Sequence, residues 1–194
     1  MKTSQFYNTI SPLYFTIDFF LKSHKKALIQ EVNKYPNRSI LEIGVGHGTH
    51  LREYLSNQIT GIDVSDKMLE VARKNNPTST HLIRMDARDI QQLNEKFDLI
   101  ILSHVLSTSS DANKMLQVSF DVLHPQGKLI ILNHFSGSGI FSVFERAFQP
   151  IARLFHFQSY FPIEKLTVLK SYRPSKALKF GLLNSYQLLI FEKT

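Results

Sequence analysis

Three glycines at alternate positions, Gly44, Gly46 and Gly48, follow a short apolar run in SILEIGVGHGTH. Because glycine has no Cβ, its backbone can approach a ligand where any side chain would collide. Asp63 closes the next apolar run, QITGID, where a carboxylate can accept hydrogen bonds from both hydroxyls of a ribose. The dinucleotide pattern G-x-G-x-x-G does not fit, because Thr49 stands where the third glycine belongs. The residues therefore predict a cradle for a different adenosine-containing cofactor.

Further polar residues end two other apolar runs. Ser103 and His104 follow FDLIIL, and Asn133 and His134 follow KLIIL. Ligands of open parallel sheets bind beside the carboxyl ends of the strands, so these side chains are expected close to the cofactor. An imidazole at this edge can orient a substrate or accept its proton.

The elements that position these residues alternate between strands and helices. The predicted strands are the apolar runs SILEIG, QITGIDV, HLIRMDAR, FDLIILSHVL, KLIILNHF and, near the end, SYQLLIFEK. The predicted helices between them are HGTHLREYLSN, SDKMLEVARKNN with Ser65 as N-cap, and SSDANKMLQVSFDVLHPQG, which a Pro/Gly turn closes. IEKLTVLKSY is compatible with helix or strand. This alternation predicts an α/β fold, a parallel sheet covered by helices on both faces.

The composition fits one globular domain spanning residues 1–194. No apolar segment has the pattern of a signal peptide or the length of a membrane span. The absence of cysteine excludes disulfides, thiolate metal sites and cysteine nucleophiles. No metal is expected either, because His47 and His50 have no evident carboxylate partner. The net charge of +7 favours an anionic partner, either nucleic acid or an acidic membrane surface.

Apolar stripes at helical spacing mark a segment near each end of the chain. A helix is predicted from the Ser11–Pro12 cap to about Lys34. The apolar stripe begins before the cap and consists of Phe6, Ile10, Leu13, Ile17 and Phe20. Three lysines follow it: Lys22, Lys25 and Lys26. A second helix is predicted after Gly139, with a stripe and nearby arginines at Phe141, Phe144, Phe148, Ile151, Phe155, Arg146 and Arg153. Such stripes suit either contact with a lipid surface or packing on the sheet, and both interpretations stay open.

The run from Glu42 to Gly48 has the form E-x-G-x-G-x-G and resembles the first motif of class I S-adenosylmethionine (SAM) methyltransferases. GIDVSDKMLEVAR is similar to the ribose segment of that family and RMDARDI to its adenine segment, while FDLIILSHVL and LHPQGKLIIL resemble its fourth- and fifth-strand motifs. The resemblance implies a Rossmann-like fold with a mostly parallel seven-stranded sheet and an antiparallel final strand. It also implies an N-terminal helical lid over residues 1–36, a SAM-binding core over 38–135, and an acceptor-side helix and final strands over 136–194.

The resemblance also implies the residues that hold SAM and its product, S-adenosylhomocysteine (SAH). Asp63 would hold the ribose hydroxyls, Met68 would pack on the adenine, and Asp86 would accept from its amino group. Glu42 would anchor the loop or meet the methionine ammonium group, which the Ser103 carbonyl would also face. The full set implied is Glu42, Gly44, Gly46, Gly48, Asp63, Val64, Met68, Asp86, Ala87 and Ser103.

Three segments resemble bacterial phosphatidylethanolamine N-methyltransferases: FYNTISPLYFTIDFF, LIILNHF and FERAFQPIARLFHFQSYFPIEKL. This resemblance implies N-methylation of a membrane aminolipid by a cytoplasmic enzyme attached peripherally to the inner face of the membrane. His134 or Asn133, beside His104, would orient the acceptor amine, and His134 would also take its proton or pair with its phosphate. Tyr7 and Tyr14 would close the pocket.

Other acceptors and one non-catalytic role stay open. The opening segment also resembles quinone methyltransferases, so a quinone or a small-molecule amine is the alternative acceptor. No nucleic-acid partner is expected, because Ser103-His104-Val105-Leu106 stands where base-amine methyltransferases carry Asp/Asn-Pro-Pro-aromatic. A SAM-binding sensor without catalysis is the remaining alternative.

Overall fold

Seven strands among the described residues form one sheet in the computed structural model. The described residues are 24–56, 58–76, 80–137, 140–154, 158–180 and 185–194. The strands are β1 (Ile40–Ile43), β2 (Ile59–Asp63), β3 (Thr80–Arg84), β4 (Phe97–Ser103), β5 (Leu123–His134), β6 (Lys176–Phe180) and β7 (Tyr186–Glu192). Their order is β3-β2-β1-β4-β5-β7-β6. β1 to β5 pair in parallel, and β7 runs antiparallel between β5 and β6. The predicted mostly parallel sheet with an antiparallel last strand is confirmed.

Helices flank the sheet: α1 over residues 24–32, α2 (Asp66–Asn75), α3 (Ala112–Asp121) and α4 (Ile140–Leu154). α2 begins at its predicted cap, where the Ser65 hydroxyl accepts a hydrogen bond from the Met68 amide at 3.3 Å. α1 ends slightly before the predicted Lys34, and its predicted start and the stripe from Phe6 to Phe20 lie outside the described residues. Within the described part of the chain, no helix combines the length and apolar character needed to cross a membrane.

The sheet separates two apolar layers. Alternation along β1 sends Ile40 into one layer and Leu41 and Ile43 into the other. α1 and α2 pack on the Ile40 side, through residues such as Leu28 and Leu69. α3 packs on the opposite side, so the prediction of helices on both faces is confirmed.

Several predicted boundaries are wrong. In the described part of HGTHLREYLSN, where a helix is predicted, only one 3₁₀ turn forms, Leu51–Glu53. The glycine loop uses the residues up to position 50, and β2 begins at Ile59. β5 begins at Leu123, before the predicted Pro/Gly turn, and a register shift against β4 absorbs the extra residues. IEKLTVLKSY forms two 3₁₀ turns, Ile163–Lys165 and Thr167–Ser171.

Candidate active site

A cavity of about 460 Å³ opens where β1, β2 and β4 end. This volume lies within the range of small-molecule sites, roughly 300–1,000 Å³. The lining contains every residue expected to hold the cofactor, together with His104: Glu42, Gly44, Gly46, Gly48, Asp63, Val64, Met68, Asp86, Ala87, Ser103 and His104. The residues predicted to bind the cofactor therefore lie together around one cavity, and the role of each remains a prediction.

The glycine loop lies against the cavity in a conformation that favours glycine. Gly44, Gly46 and Gly48 have φ angles of +75°, +55° and +61°. A Cβ on Gly44 would lie 2.9 Å from a methyl carbon of Val105, closer than carbon atoms pack. A Cβ on Gly46 would meet no protein atom within 4 Å. Since Gly46 lines the cavity, the space over it is available to a ligand.

Asp63, at the end of β2, is tied to the glycine loop. Its Oδ2 accepts a hydrogen bond from the Gly46 amide at 2.9 Å, and its Oδ1 accepts one from the Ser65 amide at 2.9 Å. Burial raises the pKa of the Asp63 carboxyl, and the backbone amides that donate to it act in the opposite direction. Each carboxylate oxygen keeps a second lone pair, which suits the two hydroxyls of a ribose.

The raised pKa of Asp63 predicts a pH dependence of SAH binding. The ionised form accepts ribose hydroxyls better, so affinity should be full above the pKa and fall by up to about tenfold per pH unit below it. Because burial raises the pKa, this fall begins at a higher pH than for an ordinary aspartate. Calorimetry of SAH binding between neutral pH and the acid limit of folding measures it. Asp63→Asn should bind weakly with no such slope; a flat wild-type profile would contradict the assignment.

Glu42 anchors the segment after the glycine loop. It is fully buried, and its two oxygens lie 2.6 Å from His50 Nε2 and 2.9 Å from the Tyr54 hydroxyl, which donates to it. Burial and the Glu42 charge raise the pKa of Tyr54 well above its usual value. His50 thus has the carboxylate partner that the sequence did not reveal. The described residues contain no cluster of three metal-ligating side chains, however.

The residues predicted to bind adenine lie at the end of β3 and on α2. Met68 is buried and lines the cavity from the first turn of α2. Asp86 caps the 3₁₀ turn Ala87–Leu93 by accepting from the Arg88 amide, and it also pairs with the Arg88 guanidinium at 2.7 Å. That pairing lowers the pKa of Asp86, so it accepts hydrogen bonds as a carboxylate.

The residues predicted to contact the methyl acceptor are not all found at the cavity. His104 lines the cavity directly after β4, with a φ angle of +56°. Asn133 does not line it; its side chain is fully buried, and its amide donates a hydrogen bond to the His134 carbonyl at 2.7 Å. His134 also lies outside the cavity wall, and Tyr7 and Tyr14 lie outside the described residues.

Three residues that the sequence did not single out surround this edge of the sheet. The ring of Tyr186, the first residue of β7, stacks on His24 from α1 at 4.3 Å. It also meets the rings of His104 at 5.7 Å and His134 at 5.4 Å. The third residue is Glu145 of α4, whose Oε1 lies 3.1 Å from His134 Nε2. No local motif marks these residues, because the contacts join distant parts of the sequence.

The cavity fits SAM by its own geometry. The space over Gly46 admits a ligand, the Asp63 carboxylate can accept ribose hydroxyls, and buried Met68 supplies an apolar surface for adenine. When bound, SAM supplies an electrophilic methyl group on a sulfonium sulfur. Of the described residues predicted to contact the acceptor, His104 is the one that lines this cavity.

Comparison with known proteins agrees with this site. A family model described as a methyltransferase domain matches residues 41–131. Phosphatidylethanolamine N-methyltransferase of Cereibacter sphaeroides is 29% identical over 154 residues, which cover 75% of each chain. The ubiquinone/menaquinone biosynthesis C-methyltransferase of Geotalea daltonii is 25% identical over 146 residues, covering 68% of this chain and 62% of that one.

A solved structure shows the same fold. The N-methyltransferase NodS of Bradyrhizobium japonicum, in complex with SAH, superposes with a TM-score of 0.68 at 17% identity, over 89% of this chain and 87% of that chain. The family match makes residues 41–131 a methyltransferase domain, and the sheet order and the glycine-lined cavity agree with the class I fold and with SAM as its cofactor.

Proposed function

We propose that this enzyme transfers a methyl group from SAM to the amine of a membrane aminolipid such as phosphatidylethanolamine. The match to the phosphatidylethanolamine N-methyltransferase of C. sphaeroides supports this acceptor, because it extends beyond the cofactor-binding core to 75% of both chains. The observation that carries the proposal is the polarity of α4.

Among its described side chains, α4 exposes three large apolar residues and turns three polar ones inward. Among the described residues, the exposed large apolar side chains are Leu55 and three on α4, namely Val143, Phe144 and Phe148, at 61%, 64% and 46% exposure. The opposite face of α4 carries buried Ser142 and half-buried Glu145 and Gln149. An ordinary amphipathic helix does the reverse. The apolar face defined by Val143, Phe144 and Phe148 therefore suits an apolar medium outside the protein.

The apolar face of α4 lies on the same edge of the sheet as the cavity. Glu145 ties the helix to His134 at the end of β5, and Gln149 accepts a hydrogen bond from the Tyr160 amide at 2.7 Å. Exposed Arg146 lies over the Tyr160 ring, 4.4 Å from its centre. A cation beside exposed apolar residues, on a chain of net charge +7, complements an anionic lipid surface. The side chains of Phe141, Ile151 and Arg153, and residue Phe155, lie outside what the structure describes.

A quinone is the second candidate acceptor. The C-methyltransferase of G. daltonii matches 146 residues of this chain at 25% identity, not far from the value for the lipid enzyme. A quinone with an apolar tail also dissolves in the membrane, so the apolar face of α4 serves either acceptor.

Incubation with radiolabelled SAM and mixed vesicles separates the two acceptors. Vesicles of phosphatidylethanolamine and phosphatidylglycerol, with a demethylated quinone added, are extracted and the lipid classes separated. We expect label in the methylated derivatives of phosphatidylethanolamine. Label in the quinone fraction would identify the quinone as the acceptor instead. Label in neither lipid class would reject both acceptors. A cofactor-site variant, Gly46→Asn, provides the blank.

A further inference from the structure

A carboxylate and an imidazole meet beside the cavity, at the end of β5. His134 Nε2 lies 3.1 Å from Glu145 Oε1, and the two side chains keep 26% and 23% of their surface exposed. The second carboxylate oxygen, Oε2, is buried and makes no hydrogen bond with the described residues. Burying half of a carboxylate without a partner is costly, so this placement calls for an explanation beyond folding.

Packing does not explain a charged residue at position 145 of α4. The residue before it, Phe144, is 64% exposed, whereas Glu145 is turned toward the protein. An apolar residue at position 145 would bury surface without this desolvation penalty. The sequence instead puts the charge inward and the phenyl ring outward.

The groups around His134 come from four further elements. Glu145 contributes the charge from α4, and the Tyr186 ring contributes the aromatic wall from β7. Beyond Tyr186 lie His104, which lines the cavity after β4, and His24 of α1. The Tyr186 ring thus contacts both His134 and His104, and His104 lines the cavity. Burial lowers the pKa of His134, and Glu145 raises it in part. The net lowering leaves the imidazole neutral at pH 7, able to accept a proton.

We propose that Glu145 is a positioning residue, which fixes the orientation and tautomer of His134 so that His134 takes the proton from the ammonium group of the acceptor. This inference rests on the proposed function, because an aminolipid head group is an ammonium ion at neutral pH. With Nε2–H donating to Glu145, the lone pair of His134 lies on Nδ1. The proton passes from the acceptor nitrogen to Nδ1, leaving a neutral amine and an imidazolium that the Glu145 carboxylate stabilises.

Charge and electrons balance in this transfer without a further reactant. Bound SAM supplies the methyl group, and transfer leaves the electron pair of the broken C–S bond on sulfur and a positive charge on the methylated nitrogen. His134 holds one proton more than before and returns it to solvent between turnovers. The neutral amine forms beside the cavity instead of in bulk water, where it would be a minor species.

Glu145→Gln tests the inference, because it keeps the size and removes the charge. We expect the NMR-titrated pKa of His134 to fall, since Glu145 raises it, and kcat on phosphatidylethanolamine vesicles at pH 7 to fall by about 100-fold. SAH affinity and KM should stay near wild type. Glu164→Gln, an exposed glutamate beyond α4, is the matched control and should change neither quantity.

The outcomes separate this inference from the proposed function. If the wild type methylates phosphatidylethanolamine and Glu145→Gln keeps its kcat, the positioning role is wrong, whether or not the His134 titration moves. If the titration moves and kcat falls, the inference stands. If the wild type labels no aminolipid, the proposed function fails, and with it the inference, even where the titration shows the contact.

Discussion

Replacing Gly46 with Asn is expected to weaken SAH binding by about 100-fold, equivalent to about 2.8 kcal/mol, while the fold persists. Asn tolerates positive φ better than other residues with side chains, so the +55° backbone should survive at a cost of about 1 kcal/mol. No protein atom lies within 4 Å of the added Cβ, so nothing in the protein has to move. The side chain enters the cavity instead and occupies ligand space.

A glycine outside the cavity provides the control for adding an asparagine side chain. A Cβ on Gly137 also meets nothing within 4 Å, but Gly137 does not line the cavity. Gly137→Asn should therefore bind SAH as the wild type does. Calorimetric titration measures affinity, and thermal melts of the ligand-free variants check folding. Wild-type affinity in Gly46→Asn would mean that the cofactor lies elsewhere.

Local patterns were sufficient to predict the cofactor side of the molecule. Gly44 to Gly48 and Asp63 belong to short segments next to predicted strands, and the parallel topology brings those strand ends together. β1, β4 and the second half of β5 were predictable because a strand buried on both faces is a nearly continuous apolar run. β6 was missed because KALKF lies at the sheet edge, where no residue is buried and two of its five residues are lysines.

Contacts between distant segments were not predictable. His50 reaches Glu42 because the glycine loop folds back, and the spacing of the two residues alone does not indicate this. Tyr186 joins His24, His104 and His134 because β7 inserts beside β5. These pairings depend on the topology of the whole sheet, so a single sequence gives no signal for them.

The helical spacing in α4 was predicted, but not the direction of its apolar stripe. A periodic pattern places Phe144 and Phe148 on one side of a helix, and it is the same whether that side faces a core or a lipid. The direction became clear from the exposure of these rings and from the inward Glu145 and Gln149. Phe144 and Phe148 therefore do not pack in the core, and their contact with a lipid surface remains the proposal above.

The double variant Phe144→Ser/Phe148→Ser is expected to bind anionic vesicles about 100-fold more weakly than the wild type. Transfer of two phenyl rings out of water contributes about 3 kcal/mol or more, and serine removes most of it. Both rings are already largely exposed, so the free energy of unfolding should change little. Sedimentation with vesicles of phosphatidylethanolamine and phosphatidylglycerol measures the partition coefficient, and thermal melts measure stability.

Leu55→Ser provides the control that ties this effect to α4. Leu55 is 61% exposed, comparable with Phe144, but its backbone pairs with Asn33 and Asn37 ahead of β1, at the sheet edge opposite the cavity. If general loss of apolar surface weakened binding, Leu55→Ser would also bind less. If α4 is the contact, Leu55→Ser binds as the wild type does and the double variant does not. Equal partition of all three proteins would show that the apolar face of α4 does not dock on lipid, and the aminolipid proposal would lose its structural basis.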